Sequence, residues 1–289
     1  MPQATLSAHR QFPYSCPCAP HIRHRFPYHR VVSRAPYRSG LTAALVYFLV
    51  CCACAQNSSQ PEQRVLFIGN SLTYTNDLPR MVSVLAGATP HCRLHTEAVA
   101  LPNFSLEDHW QQGEAAHRLQ QGHWKWVVLQ QGPSALPESR ELLVNFARRW
   151  NAAIRTAGAT PALLAVWPSA SRSADFDRVV ESYRLAAQEV DGVFLPAGAA
   201  WQYILAKKAT RLYGPDGFHP SAEGSFLAAV VIVGKLCSCS PAELSAAVHR
   251  SATRWNVPAD DESKLLAAAF LALSPDRAKA TTGRPMASH

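Results

Sequence analysis

Several motifs that announce common enzyme classes are missing from this chain of 289 residues. G-x-S-x-G does not occur, so no α/β-hydrolase nucleophile is marked; Gly69-Asn70-Ser71-Leu72 runs into Thr73 instead. H-E-x-x-H is absent, and C-x-x-C does not occur beyond residue 55, which removes the usual zinc and dithiol signatures. No glycine-rich phosphate loop follows the first strand-like run, which argues against a mononucleotide binder. There is no internal repeat and no lid-like amphipathic insertion. The longest leader-type apolar run, residues 41–55, is too short to cross a bilayer comfortably.

Lysine and acidic side chains are missing from the first 55 residues, which carry six arginines (Arg10, Arg23, Arg25, Arg30, Arg34 and Arg38). That stretch accounts for most of the net charge of +8. The remainder is close to neutral and has no general reason to seek phosphate backbones, so no nucleic-acid partner is expected. A hydrophobic content of 48% excludes a mainly disordered chain.

The run "LTAALVYFLVCCACA" follows Arg34 and Arg38, and Ala53-Cys54-Ala55 offers a small-x-small cleavage site before Gln56. An export signal over about 32–55, cut after Ala55, is the expectation, with translation starting near Val31 or Val32. A lipoprotein anchor at Cys54 is the weaker alternative, because Cys51-Cys52-Ala53 makes a poor lipobox. The chain then divides into a basic leader (1–55), a linker (56–63), one folded domain (64–273) and a tail (274–289) whose composition suggests disorder. After cleavage no stable membrane insertion is expected, and a monomer is the default. Cys92, Cys237 and Cys239 lie beyond the leader; Cys92 can pair with either of the others.

Beyond the linker, short apolar runs alternate with amphipathic stretches. Strands are expected at 64–70, 93–100, 125–131, 160–169 and 192–198. Helices are expected at 77–88, 105–122, 138–158, 176–190, 221–236 and about 258–273. Short buried strands in β-α units imply an α/β fold, with five parallel strands between two helical layers. Functional groups then come from loops at the strands' carboxyl ends, including 69–77, 130–138, 167–175 and a long connection at 199–220.

Ser71 sits at the tip of the first strand. Alone it is more often a turn former than a nucleophile. A hydroxyl nucleophile needs a base, an orienter for that base and donors for the oxyanion. "DGFHPS" supplies Asp216 and His219, three residues apart just before a helix, where Asp216 can hold the imidazole tautomer and His219 can take the proton. An aspartate-glycine turn with no catalytic role is the plainer reading of that tetrapeptide by itself. Its pairing with a strand-tip serine favours catalysis.

"FIGNSLT" together with "DGFHPS" resembles the SGNH hydrolases, also called the GDSL esterase/lipase superfamily, over roughly residues 64–236. The resemblance implies a flavodoxin-like three-layer α/β/α fold and a serine esterase, with Ser71 as nucleophile and Asp216 and His219 completing the triad. No cofactor or metal is implied. The usual G-D-S is G-N-S here, and no G-x-N-D follows the third strand. Gln130-Gln131-Gly132 is similar instead to the Q-G-E-S of sialic-acid O-acetylesterase-like members. By that resemblance Gln131 and Asn103 are candidate oxyanion donors; Asn103 could equally begin a helix. Asn70 and Trp167 are placed at the substrate edge.

Three other readings compete. His91, Cys92, His95 and Glu97 contain metal-ligand types, but alternation on a strand sends His91 and Cys92 to opposite faces, so no metal is expected. A non-catalytic carbohydrate binder would use Trp110, Trp124, Trp126, Trp167 and Trp201, although most tryptophans of such a chain belong to its core. A lipase or thioesterase acting on lipid acyl chains is the third. The export signal and the Gln131 region favour short acyl groups, acetyl first, on a carbohydrate or small-molecule ester.

Overall fold

The computed structural model describes residues 61–274. The leader, the export signal, most of the linker and the tail from 275 lie outside the described residues. The first strand, β1 (Gln63–Gly69), is apolar on both faces, and Val65 to Ile68 are all 1% exposed or less. Such a run has no face to offer water, so it can lie only between layers. β2 (Leu94–Ala100), β3 (Trp126–Leu129), β4 (Thr160–Leu164) and β5 (Val193–Leu195) complete a five-stranded parallel sheet in the order β2-β1-β3-β4-β5.

Among the described residues, ten α-helices surround or extend this sheet: α1 (Ser71–Tyr74), α2 (Leu78–Gly87), α3 (Leu106–Gln112), α4 (Glu114–Gln121), α5 (Pro137–Thr156), α6 (Phe176–Glu189), α7 (Ala197–Ala206), α8 (Ala222–Leu236), α9 (Pro241–Ser251) and α10 (Ala259–Leu273). α2 packs against α8, while α5 packs against α6 and α3. The chain moves one way from β1 to β2 and the other way from β2 through β5. Right-handed crossovers therefore carry α2 to one face of the sheet, and α5 and α6 to the other. The three-layer expectation holds, and β1 lies where the strand order reverses, which is where open sheets hold ligands.

Several elements differ from expectation. The helix expected over 105–122 breaks at Gly113, whose φ of 87° ends α3 and begins α4. Strands four and five are shorter, stopping at Leu164 and Leu195. The connection after β5 opens with helix α7, because Ala197, Ala200, Trp201 and Ile204 recur at helical spacing and are all buried. α9 was not anticipated, though Ser240 and Glu243 form a capping box at its start.

β2 is an edge strand of mixed burial, which explains its alternating sequence. Cys92, just before it, is bonded to Cys237 at the end of α8, across 145 residues. Cys239 is the free thiol of the described residues, and burial raises its pKa to about 11, with Glu243 adding to the effect. The disulfide removes Cys92 from any metal set. Nearby, His91 lies 3.1 Å from Glu243, and His95 lies 3.6 Å from Glu97. Among the described residues no helix is long and apolar enough to cross a membrane.

Candidate active site

Ser71 is the first residue of α1, capped by Asn70. Asn70 Oδ1 accepts the Leu72 amide at 3.1 Å, and the Asn70 carbonyl accepts those of Thr73 and Tyr74. The Ser71 amide is left without a hydrogen-bond partner among the described residues, as the first amides of a helix are. Gly69 is required at the elbow: a Cβ there would stand 2.4 Å from Thr73 Oγ1 and 2.5 Å from Gln130 Oε1.

Beneath the elbow lies a closed set of hydrogen bonds. Gln130 is fully buried; its Oε1 accepts from Asn70 N at 2.9 Å and Thr73 Oγ1 at 2.8 Å, and its Nε2 donates to Asn70 Oδ1 at 2.9 Å. Asn70 Nδ2 donates to the Phe104 carbonyl at 3.0 Å. Gly69 O accepts from Leu101 N and, at 2.7 Å, from His109 Nε2. His109 is fully buried with Nδ1 unpartnered, and burial holds its pKa below the usual value. The neutral Nε2–H tautomer satisfies this geometry.

Asp216 and His219, the expected orienter and base, lie in the connection between α7 and α8. Gly217, at φ 67°, allows the tight turn that brings Asp216 and His219 together. Asp216 Oδ1 accepts the amides of Phe218 and His219, each at 3.0 Å, and Oδ2 lies 2.5 Å from His219 Nδ1. With the carboxylate as acceptor, Nδ1 carries the proton and Nε2 keeps its lone pair. The imidazole contact, followed by the Phe218 amide, lowers the Asp216 pKa to about 2.

Two tethers bring this loop to the edge that bears Ser71. Trp167 Nε1 donates to the Phe218 carbonyl at 3.2 Å, fastening the turn to the residues after β4. On the other side Asn76, at φ 56°, places Nδ2 3.0 Å from the Pro220 carbonyl, the Ser221 carbonyl and Ser225 Oγ. His219 is therefore held between the β4 loop and the segment that carries Ser71. No hydrogen bond joins Ser71 Oγ to His219, a looseness common before substrate tightens a site.

The remaining expected site residues divide sharply. Asn103 is exposed, occupies the left-handed position of the Leu101–Phe104 turn (φ 60°), and makes no hydrogen bond among the described residues. It does not begin the helix, because Ser105 caps α3. Gln131 is buried, with Nε2 donating to Ser134 Oγ at 2.9 Å and Oε1 accepting from Leu106 N at 3.3 Å. As it stands it anchors a loop rather than offering its amide to an oxyanion. Trp167 was expected at the substrate edge, yet it is 1% exposed and stacked on Trp201 with ring centroids 3.6 Å apart. It has no free face for a sugar. Asn70, expected at the same edge, has its side chain engaged by the elbow.

Gln130, Thr73, Asn76 and His109 have positioning roles that no motif announced; only the asparagine at a tight turn after "SLTYT" was a usable signal. A cleft of about 210 Å³ opens between the loops after β3 and β4, walled by Pro133, Ala135, Pro168 and Phe218. Arg172 and Asp175 lie at this cleft. Asp175 is shared by Arg178 and Arg172, and its pKa is lowered first by Arg178.

No family model matches the chain, and comparison with curated proteins finds no match. Among solved structures, a protein from Slackia heliotrinireducens described as an SGNH hydrolase is 26% identical with a TM-score of 0.51; the match covers 61% of this chain and all of that one. The chain belongs to the SGNH hydrolase superfamily. A lipase/acylhydrolase from Enterococcus faecalis is similar at 14% identity and TM-score 0.47, over 61% of this chain and 96% of its own. A catalytic mutant of an acetylxylan esterase from Geobacillus stearothermophilus is similar at 15% and 0.47, over 60% and 94%. SGNH membership agrees with the all-parallel sheet, with the elbow after β1 and with the late D-x-x-H turn.

Proposed function

We propose that this SGNH hydrolase is an exported serine esterase that removes short acyl groups, acetyl foremost, from carbohydrate through an acyl-enzyme on Ser71. Hydrolysis of ester bonds is the chemistry of the class. The observation that carries the residue assignment is the Asp216–His219 pair, suspended between Trp167 and Asn76 beside the Ser71 elbow. In this reading Ser71 Oγ attacks the acyl carbonyl while His219 Nε2 takes its proton. The Ser71 amide receives the developing oxyanion, with Asn103 the uncommitted neighbour available to assist. His219 then returns the proton to the departing alcohol. Water then gives a proton to His219 and bonds to the acyl carbon; the bond to Ser71 Oγ breaks, the acid leaves, and His219 returns the proton to Oγ.

The cleft of about 210 Å³ beside Phe218 supports a short acyl group, since its volume falls below the usual range for a drug-sized ligand, roughly 300–1,000 Å³. The Cys92–Cys237 disulfide supports export, because such bonds persist in oxidising compartments. Fluorophosphonate labelling of the mature protein beside Ser71→Ala, with acetyl to palmitoyl esters, is the test. Labelling of the wild type alone and turnover confined to short esters is the expected result. Equal labelling of both proteins, or no turnover of any ester, overturns the assignment. Mass measurement of the native protein checks the start at Gln56.

A further inference from the structure

A second opening reaches Tyr74, three residues after Ser71, and shares no lining residue with the small cleft. The strand order β2-β1-β3-β4-β5 places Ser71, just past the end of β1, between the loops after β3 and β4 and the edge strand β2. Between α2 and β2 runs a groove of about 370 Å³, lined by Tyr74, Asp77, Arg80, His95, Glu97 and Ala98 among others. This volume lies within the range of small-molecule sites. The groove begins near the catalytic edge: Ala98 pairs with Phe67, and Ala100 with Gly69, two residues before Ser71. Its floor is fixed by Ser83 Oγ donating to Leu94 O at 2.8 Å and Thr96 Oγ1 donating to Pro79 O at 2.9 Å.

The lining combines one aromatic ring with hydrogen-bonding groups of both kinds. Tyr74 lies three residues after Ser71 on α1 and is 44% exposed; the other exposed large hydrophobic residue among those described is Leu136, just past the small cleft. Both therefore stand at the carboxyl edge of the sheet, one on each side of Ser71. Further along, His95 is half exposed, and Glu97 accepts from Arg64 and, at 3.3 Å, from Arg118, so its charge is balanced. A bare aromatic face next to charge-compensated polar groups suits a ring with an apolar C–H face and hydroxyls at its rim. A fatty acyl chain would find the carboxylates and guanidinium of this groove costly to desolvate.

We infer that the α2–β2 groove is a saccharide subsite that holds the alcohol part of the substrate, with Tyr74 as its stacking platform, while the acyl group enters the cleft beside Phe218. The inference rests on the carbohydrate-ester reading above and assigns it a direction: the sugar chain runs from Ser71 over Tyr74 and along β2. The test compares 4-nitrophenyl acetate with partially acetylated oligosaccharides of about four rings. Tyr74→Ala should lower selectivity for the oligosaccharide over the small ester about three- to tenfold, mainly through KM, as expected for one stacking contact. Tyr74→Trp should restore it. His95→Ala, remote from the Ser71 helix, should shift selectivity in the same direction. Wild-type turnover of the oligosaccharide with unchanged selectivity in both alanine variants overturns the groove assignment alone. Wild-type turnover of the small ester with none of any acetylated oligosaccharide overturns the carbohydrate reading, and the groove with it.

Discussion

Ser71 stands on a buried lattice of amides, whereas the Asp216–His219 pair lies on a loop, with side chains 50% and 39% exposed. Beneath Ser71, Asn70, Thr73, Gln130 and His109 meet through hydrogen bonds contributed by β1, α1, α3 and the end of β3. Around His219 the geometry is local: one carboxylate satisfies two amides and an imidazole within four residues. The proposed nucleophile is thus set by tertiary structure and the proposed base by a turn. A substitution below Ser71 should damage fold and activity together. One in the turn should damage activity with little effect on the fold.

The largest effects expose this division at its two ends. Ser71→Ala and His219→Ala should each lower kcat/KM by about a thousandfold or more while leaving the melting temperature near that of the wild type. Intact esterase activity in either variant would remove that residue from the mechanism. Asp216→Asn should cost less than either, about a hundredfold or more, since it orients the imidazole without exchanging protons with substrate. Its melting temperature at pH 7 should fall only slightly below that of the wild type, because the pair is exposed. At acid pH, the depressed Asp216 pKa means that its stabilising contribution is complete above the ordinary carboxylate value of 3.8 and disappears as pH falls towards about 2.

Gln130→Leu tests the buried half. It strands Asn70 N and Thr73 Oγ1, while Asn70 Oδ1 keeps the Leu72 amide, and should destabilise the fold by about 2–6 kcal/mol, at about 1–3 kcal/mol for each stranded buried group before relaxation. Denaturant unfolding reads this loss; an unchanged midpoint with normal activity would show that the lattice does not hold the elbow. The smallest effect concerns pH. His109 is held neutral, so the unfolded chain binds its proton more readily than the folded one, and stability should fall as pH drops below 6.5. His109→Gln keeps a donor for Gly69 O but cannot titrate. Melting temperatures measured between pH 7 and pH 5 should therefore decline less in the variant, and equal slopes would dismiss His109 as the source.

Much of the architecture was legible because it depends on neighbouring residues. The doubly apolar run Val65–Ile68 could only be a buried strand, and Ser105 with Asp108 could only open a helix. Helix α7 occupies the start of a connection expected as a loop, because Ala197, Ala200, Trp201 and Ile204 recur at helical spacing while the turn residues of "DGFH" come only later. Gln130 and Gln131 were indistinguishable as letters. One is the centre of the elbow lattice and the other a tether to Ser134, because successive residues leaving a strand point in opposite directions.

By itself the sequence determined the alternation of strands and helices, the place of Ser71 at a strand tip and the turn that joins Asp216 to His219. Period, turn chemistry and capping act over a few residues and are written in order along the chain. Only the tertiary structure decided that Cys92 bonds to Cys237 and leaves Cys239 free, that Trp167 faces Trp201, and that β2 is an edge strand with a groove beside Tyr74. Those outcomes depend on which distant segments meet, and burial in a close-packed interior, not local preference, selects the partners.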